Sequence, residues 1–383
     1  MTAFRRNQSA SRSLLRRLFD AALLLLTLLT AAATIVSAYG GTVNPEVSPL
    51  PGLAAMAFPA VLFAALAMLA VNLLFARRYA LITGLSLLVC VGPILTYCPL
   101  NFFRPSMKTI VREYPDRFKL MTFNVFGFID YTDPEHSSYT HGEGNRTLEY
   151  ILAEDPDIVT LQEPGRVLYL DSGLSSDDQK KQVREKYPYR HIHRGVTAIL
   201  SKFPLEQVDV DADTIRGLGI QRYDVDIRGQ KIHLFNVHLQ SIYLLEEDKQ
   251  IYVDITEGEH SDSIVTDLRH NLLSKVAAAM KKRAAQARAV RQELDRVDGD
   301  ILLCGDFNDI PGSYAARQIQ GADMTDAFRQ SGLGPGVTYH DDRLYFRIDQ
   351  IFYRGRLEAL RTWNGDCPYS DHYPLISIFN ISK

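Results

Sequence analysis

Three long runs of apolar residues fill the first hundred positions of the chain. They extend over Ala21–Ala38, Leu53–Phe75 and Ala80–Leu100, and none of them contains a charged residue. Each run has 18 to 23 residues, which is enough for a helix to cross a hydrocarbon core of about 30 Å. The pattern predicts that residues 1–100 form a membrane anchor of three transmembrane helices.

The charged residues around these runs predict the orientation of the anchor. Five arginines precede the first run and Arg77 and Arg78 separate the second from the third, whereas Gly40–Gly52 contains no Lys or Arg. Because positive residues stay on the cytoplasmic side of a membrane, we expect an inner N-terminus and an outward C-terminal domain. Two spans instead of three would place that domain in the cytoplasm.

An arginine-rich stretch before an apolar run is also typical of a secretory signal peptide. The first run is longer than the apolar core of a usual signal peptide, and two further runs follow it. We therefore expect the first run to remain in the protein as a helix. The sequence alone does not decide whether residues 1–40 are removed by processing.

Beyond a short linker at 101–117, the hydrophobic pattern predicts an α/β (α+β) domain over residues 118–383. The stretches Phe118–Val125, Asn145–Asp155 and Asp157–Glu163 open it as a strand–helix–strand unit. Further strands are predicted at Val196–Leu200, Tyr223–Ile227, Lys231–Leu239, Ile301–Cys304, Ile348–Tyr353 and Leu375–Phe379. A long helix at Ser274–Arg296 has one apolar and one basic face, and we interpret the basic face as a solvated surface.

The composition excludes several classes of protein. With 46% hydrophobic residues, 23% charged residues and four cysteines, the chain is neither disordered, collagen-like nor a small disulfide-rich protein. Residues 101–383 contain 43 Asp or Glu against 35 Lys or Arg, which argues weakly against binding of duplex nucleic acid. The spacing of the cysteines indicates neither a disulfide nor a metal site.

Polar residues recur where the predicted strands end. Any one of these residues is weak evidence for a functional site, because an acidic residue after a strand is usually exposed and a lone histidine is usually structural. Together, carboxylates and amides suit a hard divalent cation, and histidines supply groups for proton transfer or oxyanion binding. The set is Asn124, Glu163, His238, Asp306, Asn308, Asp349, Asp371 and His372. Five other histidines, which we expect to face solvent, are His136, His141, His191, His193 and His260.

Seven motifs in a fixed order carry a family resemblance. They are TFNV (Thr122–Val125), LQE (Leu161–Glu163), ILSKFPL (Ile199–Leu205), NVHL (Asn236–Leu239), CGDFND (Cys304–Asp309), RIDQIF (Arg347–Phe352) and SDHYP (Ser370–Pro374). This series resembles the endonuclease/exonuclease/phosphatase superfamily, which includes pancreatic-type deoxyribonucleases, abasic-site endonucleases, neutral sphingomyelinases and inositol polyphosphate 5-phosphatases. The segment RAAQA (Arg283–Ala287) before CGDFND is similar to bacterial, membrane-anchored members.

The resemblance implies a fold of four layers, with two mixed sheets packed face to face between helices. It also implies Mg²⁺, with Mn²⁺ as the alternative, and no other cofactor. Glu163 would be the main metal ligand, Asn124 would help to hold the metal and its water shell, and Asp371 would contribute beside them. One or two carboxylates and an amide are sufficient for Mg²⁺, which keeps several waters.

The resemblance also implies catalytic roles. His372 would act as the general base or stabilise the pentacovalent transition state, and Asp349 would orient it. Asp306 would align or deprotonate the attacking water, Asn308 would hydrogen bond a non-bridging oxygen, and His238 would serve the leaving group or a phosphate oxygen.

One position departs from the family pattern. Phe126 stands where nucleases of the family often carry a polar or acidic residue that touches a second metal. This argues against a two-metal mechanism and is compatible with a single metal, and the sequence leaves the number of metals open.

These features predict a membrane-anchored Mg²⁺-dependent phosphoesterase in the inner membrane, with its catalytic domain on the outer side. The two histidines favour a phosphodiesterase over a phosphomonoesterase of the inositol-phosphate type. Nucleic acid, phospholipid and inositol phosphate all remain candidate substrates, and we predict the lipid bilayer but no protein as a partner. The alternative class is an inactive, membrane-attached binding module. The completeness of the site argues against it, because every expected core position is filled.

Overall fold

The computed structural model describes residues 2–133, 144–165, 167–168, 175–210, 219–242, 264–341 and 344–382. The chain divides into two compact units, Met1–Leu95 and Thr96–Lys383. The apolar segments form helices α1 (Thr2–Tyr39), α2 (Leu50–Met56), α3 (Phe58–Phe75), α4 (Arg77–Val89) and α5 (Val91–Tyr97).

Two of the described helical segments, Leu14–Thr42 and Phe58–Phe75, are long and apolar enough to cross a membrane. The third apolar run is broken into α4 and α5, which are bent by 61° relative to each other. Pro93 in the first turn of α5 explains the break, because proline lacks an N–H and its ring clashes with the carbonyl four residues earlier. The prediction of three continuous transmembrane helices is therefore not confirmed, and a third span requires counting the bent pair as one.

Polar side chains join three helices inside the first unit. The side-chain nitrogen of Asn72 in α3 donates to the hydroxyls of Thr27 in α1, at 3.1 Å, and Thr83 in α4, at 3.0 Å. All three side chains are buried. Near one end of this unit, Arg78 forms an ion pair with Asp20. Hydrogen bonds between helices are favourable where water is absent, so α1, α3 and α4 pack as one bundle.

The second unit is built on two mixed β-sheets. Its strands are β1 (Phe118–Asn124), β2 (Ile158–Gln162), β3 (Tyr189–His193), β4 (Thr197–Ser201), β5 (Leu205–Val208), β6 (Gly219–Ile227), β7 (Gln230–His238), β8 (Ile301–Asp306), β9 (Thr325–Asp326), β10 (Tyr339–Asp341), β11 (Leu344–Phe346), β12 (Asp349–Arg354), β13 (Leu357–Asn364) and β14 (Leu375–Ile381). Sheet one has the order β13-β14-β1-β2-β4-β3, and sheet two has the order β5-β6-β7-β8-β12-β9. Strand β1 is parallel to β2, and β7 is parallel to β8, whereas the other described neighbours within the two sheets are antiparallel. Strands β10 and β11 form a separate hairpin.

The two sheets pack face to face and helices cover their outer faces. Residues such as Leu120 from sheet one and Leu234 from sheet two share one buried core. Helices α7 (Arg146–Glu154) and α8 (Asp177–Lys186) pack on the outer face of sheet one. Helices α9 (Ile264–Asp295) and α10 (Tyr314–Gln320) pack on the outer face of sheet two. The predicted arrangement of two mixed sheets flanked by helices is confirmed.

The segment predicted as a linker, 101–117, contains a short helix, α6 (Met107–Glu113), capped by the Ser106 side chain. Ile110 in α6 is fully buried and packs with Leu360 and Ile378 on sheet one. Much of this segment is therefore part of the folded domain and not a flexible tether.

The chain just before α6 is also fixed to the domain. The side chain of Asn101 donates to the carbonyls of Arg329, at 3.0 Å, and Gly332, at 2.8 Å. Arg329 belongs to α11 (Ala327–Ser331), and Gly332 directly follows it. The Gly334 amide donates to Pro99 at 2.9 Å. Residues from Pro99 onward thus enter the domain through specific hydrogen bonds.

The cysteines and several histidines were also the subject of predictions. All four cysteines are free. The expectation that His191 faces solvent is wrong, since it is half-buried and its Nδ1 lies 3.1 Å from the Tyr223 hydroxyl. His136, His141 and His260 lie outside the described residues.

Candidate active site

The parallel pair in sheet one brings Asn124 and Glu163 together. Asn124 ends β1 opposite Gln162 at the end of β2, and Glu163 follows at once. Because parallel strands end at the same edge, the two side chains meet there, with 3.2 Å between Asn124 Nδ2 and Glu163 Oε1. Glu163 has a φ of 53°, a left-handed conformation that costs about 1–3 kcal/mol in a residue other than glycine.

Sheet two brings three further side chains to one level. His238, the last residue of β7, is paired with Asp306, the last residue of β8, and Asp306 is paired with Asp349 at the start of β12. Asp306 is almost fully buried, and its Oδ2 lies 3.7 Å from His238 Nε2. Three neighbouring strands thus direct polar residues to the same edge of this sheet.

The edges of the two sheets form one cluster. Asn124 Nδ2, from sheet one, donates to Asp306 Oδ2, from sheet two, at 3.0 Å. His238 Nε2, from sheet two, lies 3.4 Å from Glu163 Oε1, from sheet one. The strand ends therefore converge at one rim of the sandwich, although the residues are up to 182 positions apart in sequence.

The loop before β14 completes the cluster with His372. Its Nδ1 lies 2.8 Å from Asp349 Oδ2, and its Nε2 lies 4.0 Å from Asp306 Oδ2. The Ser370 hydroxyl donates to the Asn124 carbonyl at 2.8 Å and fixes this loop against β1. The ring of Tyr339 packs against the imidazole at 5.2 Å between centroids. His372 is buried, and one of its ring nitrogens is held by a carboxylate.

The charges of the cluster shift several pKa values. Burial alone lowers the pKa of His372, but the carboxylates of Asp349, Asp371 and Asp306 outweigh it and raise that pKa to about 10. Burial raises the pKa of Asp306, and the neighbouring Asp349 adds to this effect. Burial also raises the pKa of Asp371 to about 6, with further contributions from Glu163 and other carboxylates. The site thus concentrates negative charge, which a bound cation would stabilise.

Asn308 lies on the turn after β8 and faces the same carboxylate. Its backbone amide donates to Asp306 Oδ1 at 2.7 Å, and its side-chain nitrogen donates to Asp306 Oδ2 at 3.1 Å. The side-chain nitrogen also donates to the Leu239 carbonyl at 3.1 Å. Like Glu163, Asn308 has a left-handed backbone, with a φ of 50°. These hydrogen bonds keep its amide group beside Asp306.

The donor set fits a hard cation only in part. Glu163 and Asp371 offer carboxylate oxygens, and the Glu163 side chain is 43% exposed, so it is accessible to an ion with its water shell. The side-chain oxygen of Asn124 instead accepts the Phe126 amide at 3.1 Å, while its nitrogen faces the carboxylates. Among the residues the structure describes, no three His, Cys, Asp or Glu side chains are arranged as a complete metal site. The oxygens fit Mg²⁺ with several waters, and ligation by Asn124 would require its amide to rotate.

The hydrogen bonds between the sheets beneath the site were not predicted. Gln162 in β2 donates from Nε2 to Asn236 Oδ1 in β7 at 2.7 Å. Asn236 in turn donates to the carbonyls of Leu161, at 3.1 Å, and Ala198, at 3.0 Å. Both amides are fully buried. Their motifs, LQE and NVHL, were recognised, but sequence spacing does not reveal that the two sheets meet there.

A buried arginine supports the loops that follow β7 and β8. Arg283 in α9 is 1% exposed, and its Nε donates to Asp309 Oδ2 at 3.1 Å. Its Nη1 donates to the Gln240 carbonyl at 3.1 Å, and Gln286 Oε1 accepts the Gln240 amide at 2.8 Å. The interpretation of the basic face of this helix as solvated is therefore wrong for Arg283. Asp309 and Gln240 lie next to Asn308 and close to His238 in sequence, so the arginine holds the chain that carries them.

Phe126 leaves the backbone after β1 with a φ of 47°. Its ring meets that of Tyr131 edge to face at 6.4 Å between centroids. Phe126 therefore packs against an aromatic neighbour and contributes no polar group from its side chain.

Comparison with known proteins agrees with this architecture. Residues 121–372 match the profile described as the Endonuclease/Exonuclease/phosphatase family. Residues 16–97 match a domain of unknown function, DUF8431. No curated protein sequence matches the chain significantly.

Solved structures with a similar fold are distant in sequence. A humanized TDP2 of D. rerio is 19% identical over 69% of this chain and 99% of its own, with a TM-score of 0.45. An endonuclease/exonuclease/phosphatase from Beutenbergia cavernae is 18% identical over 70% of this chain and 72% of its own, with a TM-score of 0.44. The beta toxin of Staphylococcus aureus is 17% identical over 70% of this chain and 100% of its own, with a TM-score of 0.39. The assignment rests on the sequence profile, which spans well over half of the chain: this protein belongs to the endonuclease/exonuclease/phosphatase family.

Proposed function

We propose that this protein is a membrane-anchored, divalent-metal-dependent phosphoesterase that hydrolyses phosphodiesters by attack of water on phosphorus. The observation that supports this most directly is the convergence of Glu163 and Asp371 with Asp306 and the His372–Asp349 pair at one rim. Carboxylates for a cation, a buried acid–base group and an oriented imidazole are the parts that metal-assisted phosphoester hydrolysis requires.

Glu163 and Asp371 would hold Mg²⁺ or, alternatively, Mn²⁺. When bound, the cation would polarise a phosphoryl oxygen and offset the charge of the substrate. Asn124 would stabilise the ionised carboxylates through its side-chain nitrogen, which already donates to Glu163 and Asp306.

His372 would act on the phosphoryl group as a positively charged hydrogen-bond donor. With a pKa raised to about 10, its imidazole is protonated at neutral pH. Nδ1 is held by Asp349, so the proton on Nε2 faces Asp306 and the cleft. A cation held in this way stabilises negative charge that develops on phosphate oxygens. Of the two roles expected for His372, transition-state stabilisation is therefore favoured over that of general base.

The groups around Asp306 would position the nucleophile and the leaving group. Asp306 is a buried carboxylate that would align the attacking water and accept its proton. Asn308 would donate to a non-bridging oxygen from the same turn, in exchange for one of the hydrogen bonds that its side-chain nitrogen gives to Asp306 and Leu239. His238 Nε2 is buried without a hydrogen-bond partner in the described structure, although Glu163 Oε1 lies 3.4 Å away. It is therefore available to a leaving-group or phosphate oxygen.

A diester is favoured because two histidines flank the cluster, so one can serve each side of the phosphorus. Phospholipid suits an enzyme held beside a bilayer, while nucleic acid and a phosphomonoester of the inositol-phosphate type remain alternatives. An inactive binding module is disfavoured, since the side chains of the site are complete and arranged around one rim.

We further propose that the anchor, residues 1–100, crosses the inner membrane three times and directs the catalytic domain, residues 118–383, outward. The ion pair between Asp20 and Arg78 supports this, because it brings the start of the first apolar run to the turn between α3 and α4. Both groups then lie on the arginine-rich side of the membrane, as the positive-inside rule requires. Digestion of spheroplasts, whose outer membrane has been opened, by an added protease should remove the catalytic domain, and protection of the domain there would contradict the outward orientation.

The enzyme assay should use the full chain in lipid nanodiscs. Hydrolysis of DNA, of a choline phospholipid and of an inositol phosphate would be compared with Mg²⁺, Mn²⁺ or a chelator. His372→Ala should abolish turnover, whereas His193→Ala, at the end of edge strand β3, should retain it. Folded protein with no turnover on any substrate would contradict the proposed activity.

Metal binding can be tested without turnover. Mn²⁺ bound to the full chain would be measured by electron paramagnetic resonance, with Glu163→Gln as the variant. We expect the substitution to weaken binding by about 10-fold or more, in the range for loss of important metal-site interactions. Equal binding by the native chain and the variant would remove Glu163 from the metal site.

A further inference from the structure

The segment that leads into the catalytic domain, residues 100–111, exposes several apolar side chains. Phe103 is 101% exposed and Phe102 is 66% exposed, and the neighbouring Leu100, Met107 and Val111 are exposed as well. Single exposed apolar residues are normal on proteins, but five within twelve positions form a patch that calls for a partner.

Helix α6 shows the same feature in its geometry. Ile110 faces inward and is fully buried against sheet one. Met107 and Val111, four positions apart, lie together on the exposed surface. The exposed residues Lys108 and Arg112 follow Met107 and Val111 by one position each, so an apolar stripe runs beside a basic one, in which Arg112 also contacts the exposed Glu113 at 2.6 Å. This pattern is typical of a helix at a membrane surface, where apolar side chains enter the headgroup region and basic ones meet anionic lipids.

We propose that residues 100–112, the interfacial segment, bind the surface of the bilayer that holds the anchor. Phe102 and Phe103 enter the interfacial region, and Lys108 and Arg112 bind lipid phosphates. The lipid surface is the favoured occupant because the segment follows α5, which ends at Tyr97, by only two residues. Its charge is also complementary to anionic headgroups. The inference extends the proposed membrane anchoring and does not depend on the catalytic activity.

The consequence is a fixed orientation of the catalytic domain. Asn101 is hydrogen bonded to Arg329 and Gly332, and Ile110 is packed on sheet one. A segment tied to the domain at these points cannot lie on the membrane without carrying the domain with it. The domain is therefore held against the bilayer instead of swinging on a tether.

Fluorescence quenching by brominated lipids tests the proposal. The full chain has one tryptophan, Trp363, whose emission serves as the baseline in each variant. Phe103→Trp is compared in nanodiscs with Tyr189→Trp, an exposed position on β3. Strand β3 forms the opposite edge of sheet one from β13, where α6 packs. Five spacings of about 4.8 Å separate these edges by about 24 Å.

We expect the added tryptophan to be quenched at least twofold more at position 103 than at position 189. Phe63→Trp in α3 reports insertion of the anchor itself. Quenching at position 63 with none at position 103 would contradict lipid binding by the interfacial segment, while the proposed insertion of the anchor would stand. A lack of quenching at both positions would contradict the interfacial segment and also the insertion of the anchor in the membrane. Blue-shifted emission from position 103 without quenching would indicate a protein partner and overturn the lipid assignment.

The basic stripe is tested separately. In the Phe103→Trp background, Lys108→Glu with Arg112→Glu should reduce quenching in nanodiscs with phosphatidylglycerol more than in nanodiscs of phosphatidylcholine alone. Equal quenching of both charge forms in anionic nanodiscs would contradict binding of lipid phosphates by these residues.

Discussion

Arg283 and Asp309 form an ion pair that is almost completely withdrawn from solvent, with 3.1 Å between Nε and Oδ2. The arginine belongs to a helix on the outer face of sheet two, whereas the aspartate lies on the turn that carries Asn308. The pair therefore connects the outer layer of the domain to the site.

Asp309→Asn should destabilise the catalytic domain by about 3–5 kcal/mol, because it leaves the charge of Arg283 buried without its partner. Urea unfolding followed by Trp363 fluorescence would measure this change. Asp295→Asn is the matched control, since Asp295 pairs with Arg291 on the same helix but is largely exposed. Equal effects of the two substitutions would show that burial of the Arg283 pair is unimportant.

Asp349→Asn should lower kcat by about 10²–10⁴-fold, in the range of a lost acid–base contribution. The substitution keeps the shape of the side chain but removes the charge that holds His372 protonated and oriented. Because Asp349 acts through His372, we expect KM and Mn²⁺ binding to stay near the native values. Steady-state kinetics of this variant and of Asp298→Asn, at an exposed position, would test the role. A change in KM alone would contradict it.

The ionised Asp130 side chain should stabilise the folded domain, and this stabilisation should depend on pH. Burial by itself raises its pKa, but hydrogen bonds from Thr132 and Arg146 outweigh burial and hold the pKa below its usual value. A lowered pKa in the folded state means that the stabilisation is present above about pH 4 and is lost as the pH falls through the folded pKa. The difference in unfolding free energy between the native chain and Asp130→Asn should therefore shrink below pH 4. A difference independent of pH would argue against an ionised Asp130.

Ile110→Ala should cost about 2–5 kcal/mol, the range for removal of a buried isoleucine side chain. The neighbouring Val111→Ala should have little effect in detergent, because Val111 is exposed. Chemical unfolding of both variants would measure the difference. A chain that begins at Asp116 lacks helix α6 and should unfold at lower urea than one that begins at Thr96.

Regular elements with a strong period were predictable from the sequence. Helix α7 buries one face at helical spacing, whereas strand β1 is buried on both faces except at Lys119; the bounds of both elements agree with the prediction to within a residue. Strand β13 was missed because it is an edge strand whose alternation is interrupted between Ala359 and Arg361. Strand β3 was missed because none of its residues is buried. Helix α8 is polar on most sides, and only its capping box at Ser176 and Gln179 marked it in the sequence.

The site was predictable as a set of residues but not as a geometry. The motifs identify Glu163 and Asp306, which follow or end an apolar strand, and His372, which lies just before one. Spacing along the chain cannot show that Asn124 presents its nitrogen to the carboxylates, or that Arg283 is buried. Both depend on which surfaces of the two sheets and their helices come together. The hydrophobic pattern likewise predicted the third apolar run as one continuous span, because it reflects only the apolar residues and not the bend at Pro93.

The position of β14 has a consequence for biosynthesis. This strand pairs with β1, the first strand of the domain, so sheet one is complete only after β14 has been made. Such long-range pairing slows folding, because a long loop must close before its contacts are gained. His372 arrives on the same final segment. The nascent domain therefore has neither a finished sheet nor an assembled site until β14 has been made, which is compatible with the proposed passage of the domain across the membrane before it folds.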